Sequence, residues 1–324
     1  MKAILCKQYG PPETLTVENL PSPVPEPRQV VIRVRAAGVN FPDTLIIQNR
    51  YQFKPPLPFS PGGEFAGEIA SIGNSVSHLK VGQRVTAFTG WGAFAEEVAV
   101  DADRVMPIPD EMPFDLAASF IMTYGTSYHA LTDRAALRSG ETLLVLGAAG
   151  GVGLAAVEIG KALGARVIAA ASSSAKLAVC REHGADELIN YDTENLRERI
   201  KALTDGRGVD VVYDPVGGAY SEPALRSVAW RGRFLVVGFA SGTIPSIPLN
   251  LALLKGLSIS GVFWGDYVKR EPLKNATDLA ELMRLLKAGR LQPLISARYR
   301  FDQVADALNS VIQRKAVGKI VLIP

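Results

Sequence analysis

The sequence has few cysteines, little clustered charge and no long hydrophobic run, and each shortage excludes a class of protein. Two cysteines, Cys6 and Cys180, are too few for a disulfide framework, which fits a reducing compartment. The 35 Lys and Arg residues against 32 Asp and Glu give a net charge of +3 without a block of like charge, so a nucleic-acid-binding face is not indicated. The uncharged stretch Leu143–Val157 is interrupted by glycines and is shorter than the roughly 20 residues of a membrane span. With no signal-peptide core at the N-terminus, we expect a cytoplasmic protein without a membrane span.

The chain of 324 residues is long enough for two domains, and its character changes near residue 120. Before that point, short β-branched segments such as Val30–Arg35 and Gly67–Gly73 read as strands. Prolines crowd Pro21–Pro27 and Pro55–Pro61, and they favour loops because proline donates no hydrogen bond to a sheet. We therefore expect an irregular, β-rich first domain.

After residue 120, short apolar strands alternate with amphipathic helices, which predicts a parallel sheet covered on both faces. The predicted strands are Leu143–Leu146, Arg166–Ala171, Glu187–Asn190, Val209–Asp214, Phe234–Val237 and Leu257–Val262. The tail returns to mixed character, with helices expected at Asn275–Ala288 and Asp302–Gln313 and a final strand at Ile320–Ile323. Such a tail is able to fold back onto the first domain.

A glycine-rich segment follows the first of these strands. It reads Gly147-Ala148-Ala149-Gly150-Gly151-Val152-Gly153 and leads into a helix expected over Leu154–Leu163. Glycines there permit a tight turn, close approach of the backbone to a pyrophosphate and close packing of helix on strand, and the N–H groups of the helix start bind phosphate. The first gap is one residue longer than in G-x-G-x-x-G, and a glycine cluster alone is more often a turn. The strand–loop–helix context nevertheless predicts a dinucleotide site.

The end of the second strand indicates which dinucleotide is bound. An NAD site usually has an Asp or Glu there, about 20 residues after the glycines, to bind the ribose 2′-hydroxyl. The stretch Ala169–Lys176 has no acid, and Ser172, Ser173 and Lys176 instead offer donors and a positive charge to a 2′-phosphate. The alternative is that a serine caps the helix and Lys176 is a solvated helix residue. Both interpretations can hold together, and we predict NADPH.

Motifs spread over the whole chain carry a family resemblance. They are Ala36–Asp43, Pro61–Gly67, the glycine loop, Ile189–Tyr191, Val211–Gly217 and Leu322–Pro324. With them the chain resembles the medium-chain dehydrogenase/reductase superfamily and, within it, the zinc-independent, ζ-crystallin-like quinone oxidoreductases. The resemblance implies an α/β protein with two domains. A GroES-like β-barrel catalytic domain would cover residues 1–122 and be completed by 265–324, and a Rossmann domain with a doubly wound parallel sheet would cover 123–264.

The glycine loop, the serine–lysine stretch and the resemblance together give the expected site residues. Asn40 and Tyr51 are the expected catalytic residues, Asn40 near the nicotinamide and Tyr51 in the substrate site. The expected cofactor-binding residues are Asn40, Thr126, Ala149, Gly150, Gly151, Val152, Ser172, Ser173, Lys176, Tyr191, Gly238, Phe239, Phe263 and Lys315. Arg314 is adjacent to Lys315, and either residue could reach the 2′-phosphate. Leu45 departs from the pattern, because a close bacterial-type relative has a second tyrosine there, and this leaves the substrate open.

No metal site is expected from the same comparison of motifs. Asn40 stands where zinc-dependent alcohol dehydrogenases have a cysteine ligand, and Gly63 stands where they have a ligand histidine. A structural zinc lobe needs four closely spaced cysteines, and only two distant ones are present. We therefore expect chemistry without zinc.

The function expected from these features is hydride transfer from NADPH to a quinone. The resemblance also implies a homodimer paired along the segment Leu257–Val262. A quinone is electrophilic enough to need no metal. One alternative keeps the cofactor and reduces the carbon–carbon double bond of a 2-alkenal or an enoyl thioester. Another is an NADPH-binding, crystallin-like or RNA-contacting protein with little turnover. The modest net charge argues against RNA as its main ligand.

Overall fold

The computed structural model describes the whole chain, Met1 to Pro324, and divides it into two compact units. The first unit contains Met1–Met122 together with Pro293–Pro324, and the second contains Thr123–Gln292. None of the helices combines the length and the apolar character that crossing a bilayer requires.

The secondary structure consists of fifteen strands and eleven α-helices. The strands are β1 Lys2–Leu5, β2 Thr16–Asn19, β3 Gln29–Val39, β4 Glu64–Ile72, β5 Arg84–Phe88, β6 Glu97–Asp101, β7 Val105–Pro107, β8 Thr142–Leu146, β9 Arg166–Ala171, β10 Glu187–Asn190, β11 Val209–Asp214, β12 Val228–Val236, β13 Ser258–Gly261, β14 Ile295–Arg300 and β15 Lys319–Ile323. The helices are α1 Phe41–Ile46, α2 Phe114–Ala117, α3 Ile121–Tyr128, α4 Gly151–Ala162, α5 Ser174–Glu182, α6 Leu196–Leu203, α7 Ser221–Arg226, α8 Asn250–Lys255, α9 Trp264–Arg270, α10 Pro272–Lys287 and α11 Val304–Ile312.

The first unit is built around β3, which pairs with β4, β6 and β15 in a seven-stranded sheet. Along β3, Ile32 and Val34 are buried whereas Arg33 and Arg35 are exposed, as expected of a strand with one face on the core. The core beneath includes the fully buried ring of Phe65. The C-terminal tail, which the sequence allows to fold back, does so in this unit, because β15 pairs antiparallel with β3.

The second unit contains the predicted parallel sheet. Its order is β10-β9-β8-β11-β12-β13, which is the 3-2-1-4-5-6 order of a dinucleotide-binding fold. All five residues of β8 are buried, so its continuous apolar sequence reflects cover on both faces. The carboxyl ends of the strands all lie at one edge, and the order reverses between β8 and β11.

The chain returns to the first unit at Pro293, later than the predicted residue 265. Helices α9 and α10 stay with the second unit because their side chains are bound there. The Tyr267 ring stacks on His129 at 3.9 Å between centroids, and Lys274 forms an ion pair with Asp133. The sequence between 265 and 292 is amphipathic, and amphipathicity by itself does not identify the surface on which a helix packs.

Candidate functional site

The glycine loop after β8 has a geometry that only glycine permits at two positions. Gly147 has a φ of +58°, in the left-handed region. A Cβ atom on Gly153 would lie 2.3 Å from the carbonyl oxygen of Gly147, so α4 packs against the turn with no room for a side chain. The N–H of Ala148 donates to the carbonyl of Ala170 at 3.0 Å and holds the loop against β9. The predicted strand, tight turn and close-packed helix are confirmed.

Helix α4 starts at Gly151, with Gly150 at its N-cap and no side chain capping it. The first bond of its ladder runs from the N–H of Leu154 to the carbonyl of Gly150 at 2.8 Å. The N–H groups of Gly151, Val152 and Gly153 precede that bond and point out of the helix end, where they suit a phosphate. Ala149, another predicted residue of this loop, is buried.

The cluster at the end of β9 combines a helix cap and a positive charge. The Ser173 hydroxyl accepts a bond from the Lys176 backbone N–H at 3.4 Å and caps α5. The Lys176 ammonium donates to the Ser172 hydroxyl at 3.2 Å. The predicted helix cap is therefore present, and the segment also presents hydroxyls and an ammonium in the place of a carboxylate.

Other predicted residues follow the carboxyl ends of further strands, and the parallel topology brings those ends to one edge of the sheet. Tyr191 follows β10 and packs on the Tyr220 ring at 4.3 Å between centroids. Gly238 and Phe239 follow β12, and Phe263 lies beyond β13 with 44% of its surface exposed. In folds of this type, a ligand binds outside this edge at the point where the strand order reverses.

Thr126 is joined to the glycine loop through its neighbour. Thr126 is half-buried on α3, and the Ser127 hydroxyl donates to the Val152 carbonyl at 2.8 Å and lies 2.9 Å from the Tyr213 hydroxyl. Both Ser127 and Tyr213 are fully buried. These two residues were missed by the sequence interpretation, because a serine in an apolar helix and a tyrosine in an apolar strand carry no distinctive spacing.

In the first unit, Asn40 lies at the junction of β3 and α1. It is at the N-cap of α1, yet its side chain does not cap the helix. Its amide nitrogen instead donates to Glu64 Oε1 at 3.0 Å, and its amide oxygen accepts a bond from the Lys319 ammonium at 2.5 Å. Asn40, Glu64 and Lys319 are all buried.

Lys319 is a further residue that the sequence interpretation missed. In the C-terminal segment the family resemblance points to Lys315 and Arg314, which are both exposed after α11. Lys319 begins the apolar strand β15, and its ammonium forms a buried ion pair with Glu64 at 2.8 Å. A lysine at the start of an otherwise apolar strand is a signal for a buried partner, since an unpaired charge is costly to bury.

Asp43 and Tyr51 are two further polar residues of this unit. Burial raises the pKa of Asp43 to about 7, against the stabilising effect of the Asn40 N–H, which donates to its carboxylate at 2.7 Å, and of the Lys319 charge. Burial and then the negative charge of Asp43 raise the pKa of the Tyr51 hydroxyl above 10. Tyr51 therefore keeps its proton at neutral pH and is a hydrogen-bond donor.

The residues at the expected zinc positions do not fit zinc. Asn40 offers an amide whose oxygen already accepts from an ammonium, and a second cation there would be repelled. Gly63 offers no ligand, and a Cβ atom on it would meet the Phe88 ring at 3.2 Å. No group of three or more His, Cys, Asp or Glu side chains stands in an arrangement that could hold a metal ion.

Two family profiles match the chain, one in each unit. The profile described as "Alcohol dehydrogenase GroES-like domain" matches residues 26–110, and that described as "Zinc-binding dehydrogenase" matches residues 151–283. The second name refers to zinc, which the donor set described above does not fit.

Known proteins match over nearly the whole length. The chain is 40% identical over 323 residues to "Quinone oxidoreductase-like protein 2" of Bos taurus, covering 99% of this chain and 92% of that protein. It is 37% identical over 326 residues to "Quinone oxidoreductase" of Pseudomonas aeruginosa, covering 100% and 99%. A crystal structure of Escherichia coli quinone oxidoreductase complexed with NADPH matches with a TM-score of 0.94 and 30% identity over 100% of both chains. The similarity therefore includes both units.

Proposed function

This chain belongs to the quinone oxidoreductase family of the medium-chain dehydrogenase/reductase superfamily, and from that premise we propose that it is an NADPH-dependent reductase of quinones. The observation that carries the proposal is the cluster at the end of β9. There, Ser172 and Lys176 present a hydroxyl and an ammonium 3.2 Å apart where an NAD site usually has a carboxylate. The E. coli relative that was crystallised with NADPH supports the same cofactor.

The residues of the second unit fit the dinucleotide. The N–H groups of Gly151, Val152 and Gly153 would bind the pyrophosphate at the start of α4, where the glycines leave the backbone accessible. Ser172, Ser173, Lys176 and Tyr191 would bind the 2′-phosphate. Thr126, Gly238, Phe239 and Phe263 would surround the nicotinamide and its ribose. When bound, the reduced nicotinamide supplies the hydride.

The polar groups of the first unit would bind the acceptor. Reduction of a quinone to a hydroquinone adds a hydride and a proton, so negative charge develops on the quinone oxygens. The Asn40 amide and the Tyr51 hydroxyl are donors suited to an oxygen atom, and Tyr51 is held protonated by its raised pKa. Asp43, with a pKa of about 7, is able to hold a proton beside them at neutral pH.

A kinetic survey tests this function. Purified protein is assayed with NADPH and with NADH against quinones of graded size, 2-alkenals and an enoyl thioester. We expect turnover of quinones with NADPH as the better donor. Faster turnover of the alkenal or the thioester would instead support reduction of carbon–carbon double bonds. Tight NADPH binding with no turnover of any acceptor would support a binding protein.

We also propose that the protein is a homodimer paired along β13, the last strand of the six-stranded sheet. An open sheet edge invites pairing, and apolar side chains near this one are exposed. Ile259 on β13 is 39% exposed, and Leu249 and Leu253 before the strand are 77% and 81% exposed. Sedimentation of the wild type as a dimer and of Ile259→Lys as a monomer is the expected result. Leu273→Lys, at an 86% exposed position on α10, is the matched control and should stay dimeric.

A cytoplasmic location is part of the same proposal. Cys6 and Cys180 are both unpaired and buried, so the fold contains no disulfide that would need an oxidising compartment. Fractionation of the source cells, with detection of the protein by antibody, tests this assignment.

A further inference from the structure

The buried ion pair of Lys319 and Glu64 in the first unit belongs to a set of hydrogen bonds that fixes the position of the Lys319 ammonium. The Lys319 ammonium has three N–H donors, and three acceptors surround it. These are the Val39 carbonyl at 3.1 Å, Asn40 Oδ1 at 2.5 Å and Glu64 Oε1 at 2.8 Å. Every donor is therefore used, which fixes the ammonium in one place.

The fixed ammonium sets the direction of the Asn40 amide. An ammonium only donates and a carboxylate only accepts, so the amide oxygen must face Lys319 and the amide nitrogen must face Glu64. A reversed amide would set its NH₂ against the ammonium and its oxygen against the carboxylate. One amide hydrogen is used by Glu64, and the nearest further acceptor, the Gly38 carbonyl, is 3.5 Å from the nitrogen. The Gly38 contact takes the other hydrogen, but its length is at the limit for a hydrogen bond, so a ligand oxygen at an ordinary distance is able to replace it.

The surrounding backbone leaves this cluster no alternative arrangement. The register of β15 on β3 sets Val321 opposite Gly38 and Ile320 opposite Val39, so Lys319 lies beside Asn40. A Cβ atom on Gly38 would come within 2.6 Å of Glu64 Oε1 and 2.2 Å of the Ala118 carbonyl. The second oxygen of Glu64 accepts a bond from the Met122 N–H at 2.9 Å. Glu64 is thus held at both oxygens.

We infer that Lys319 is a positioning residue for the reaction: it fixes the Asn40 amide, through its own bond and through Glu64, so that an amide N–H faces the ligand. This inference rests on the proposed function, in which Asn40 binds an oxygen of the acceptor or of the cofactor. Lys319 does not touch the ligand itself, and its effect passes through Asn40.

The test uses a double variant in which stability and positioning are separated. Lys319→Met alone leaves Glu64 as an unpaired buried charge and risks unfolding. Lys319→Met with Glu64→Gln removes both charges, and replacing both partners is much less costly. In that variant the new amide oxygen at position 64 keeps the bond from the Met122 N–H, so the new NH₂ faces Asn40. This NH₂ then attracts the Asn40 oxygen and turns the Asn40 amide round.

We expect the double variant to have a melting temperature within a few degrees of that of the wild type. Its kcat/KM for quinones should fall by about 10- to 100-fold, which is the effect of losing one hydrogen bond to a reacting oxygen. Asn40→Ala should lose a similar factor. Adding Asn40→Ala to the double variant should change kcat/KM by less than about threefold, because residues that act through one group are not additive. The inference would be overturned if the double variant kept the wild-type kcat/KM. It would also be overturned if the triple variant lost the product of the factors lost by the double variant and by Asn40→Ala.

Arg233→Met is the control for a structural ion pair. Arg233 pairs with Glu141 at the amino end of the parallel sheet, with side chains 19% and 21% exposed. Its loss should lower the melting temperature and leave kcat/KM unchanged. A drop in kcat/KM as large as that of the double variant would show that destabilisation alone explains both.

A second readout keeps this inference separate from the proposed function. The side-chain NH₂ signals of Asn40 in a ¹⁵N–¹H NMR spectrum are assigned by their loss in Asn40→Ala. The hydrogen bonded to Glu64 should resonate downfield in the wild type and lose that shift in the double variant, but keep it in Arg233→Met. Absence of quinone turnover in the wild type would refute the proposed function alone, whereas an unmoved Asn40 signal in the double variant would refute the positioning role.

Discussion

Replacement of Lys176 by alanine tests the choice of cofactor most directly. The Lys176 ammonium is held 3.2 Å from the Ser172 hydroxyl and is half-buried, so it is already placed near the end of β9 where the 2′-phosphate would lie. A charge-assisted hydrogen bond to a phosphate contributes about 1.5–3 kcal/mol, which is roughly 10- to 150-fold in affinity. Because the group is partly open to solvent, screening favours the lower part of that range. NADH has no 2′-phosphate, and its binding should hardly change.

The assay is a comparison of kcat/KM and of dissociation constants for NADPH and NADH in the wild type and the variant. Lys201→Ala is the matched control, since Lys201 is an exposed lysine near the C-terminal end of α6. It should change neither cofactor's affinity. Ser172→Asp should weaken NADPH further, because a carboxylate repels the phosphate while offering an acceptor to a free 2′-hydroxyl. Equal efficiency of NADH and NADPH in the wild type, or equal losses for both cofactors in Lys176→Ala, would mean that the cluster caps α5 and does not bind the 2′-phosphate.

Three further predictions follow from other parts of the molecule. Gly153→Ala should weaken NADPH binding by about tenfold or more in a fluorescence titration, because the new Cβ would lie 2.3 Å from the Gly147 carbonyl and force α4 away from the loop. Burial raises the pKa of Asp43 from 3.8 to about 7, so the folded protein keeps a proton that the unfolded chain releases, and stability should fall by up to about 4 kcal/mol as the pH rises from 4 to 7. Denaturant unfolding across that range should lose this component in Asp43→Asn, and an unchanged slope would contradict the assignment. Treatment with a chelator should leave quinone turnover unchanged, and stoichiometric zinc with activity lost on its removal would refute the metal-free site.

Local sequence patterns predicted the second unit well, because its central strands β8, β9 and β11 are buried on both faces and are bounded by helix signals. Strands β9, β10 and β11 have the predicted bounds. Strand β12 begins at Val228, six residues before the predicted start. The stretch Arg231-Gly232-Arg233 interrupts its apolar pattern, and Arg231 has a φ of +61°. The glycine loop was predictable for the same local reason, since a turn of this kind tolerates no side chain at Gly153.

The charge cluster of the first unit was decided by tertiary structure alone. Asn40 and Glu64 were visible in motifs, but Lys319 is 279 residues from Asn40 and is brought to it only by the pairing of β15 with β3. The assignment of α9 and α10 to the second unit could not be predicted from the sequence either, because it depends on side-chain contacts such as that of Tyr267 with His129. Sequence patterns report on which residues a segment buries, whereas the identity of a buried charge's partner depends on strand register between distant segments, which no local pattern contains.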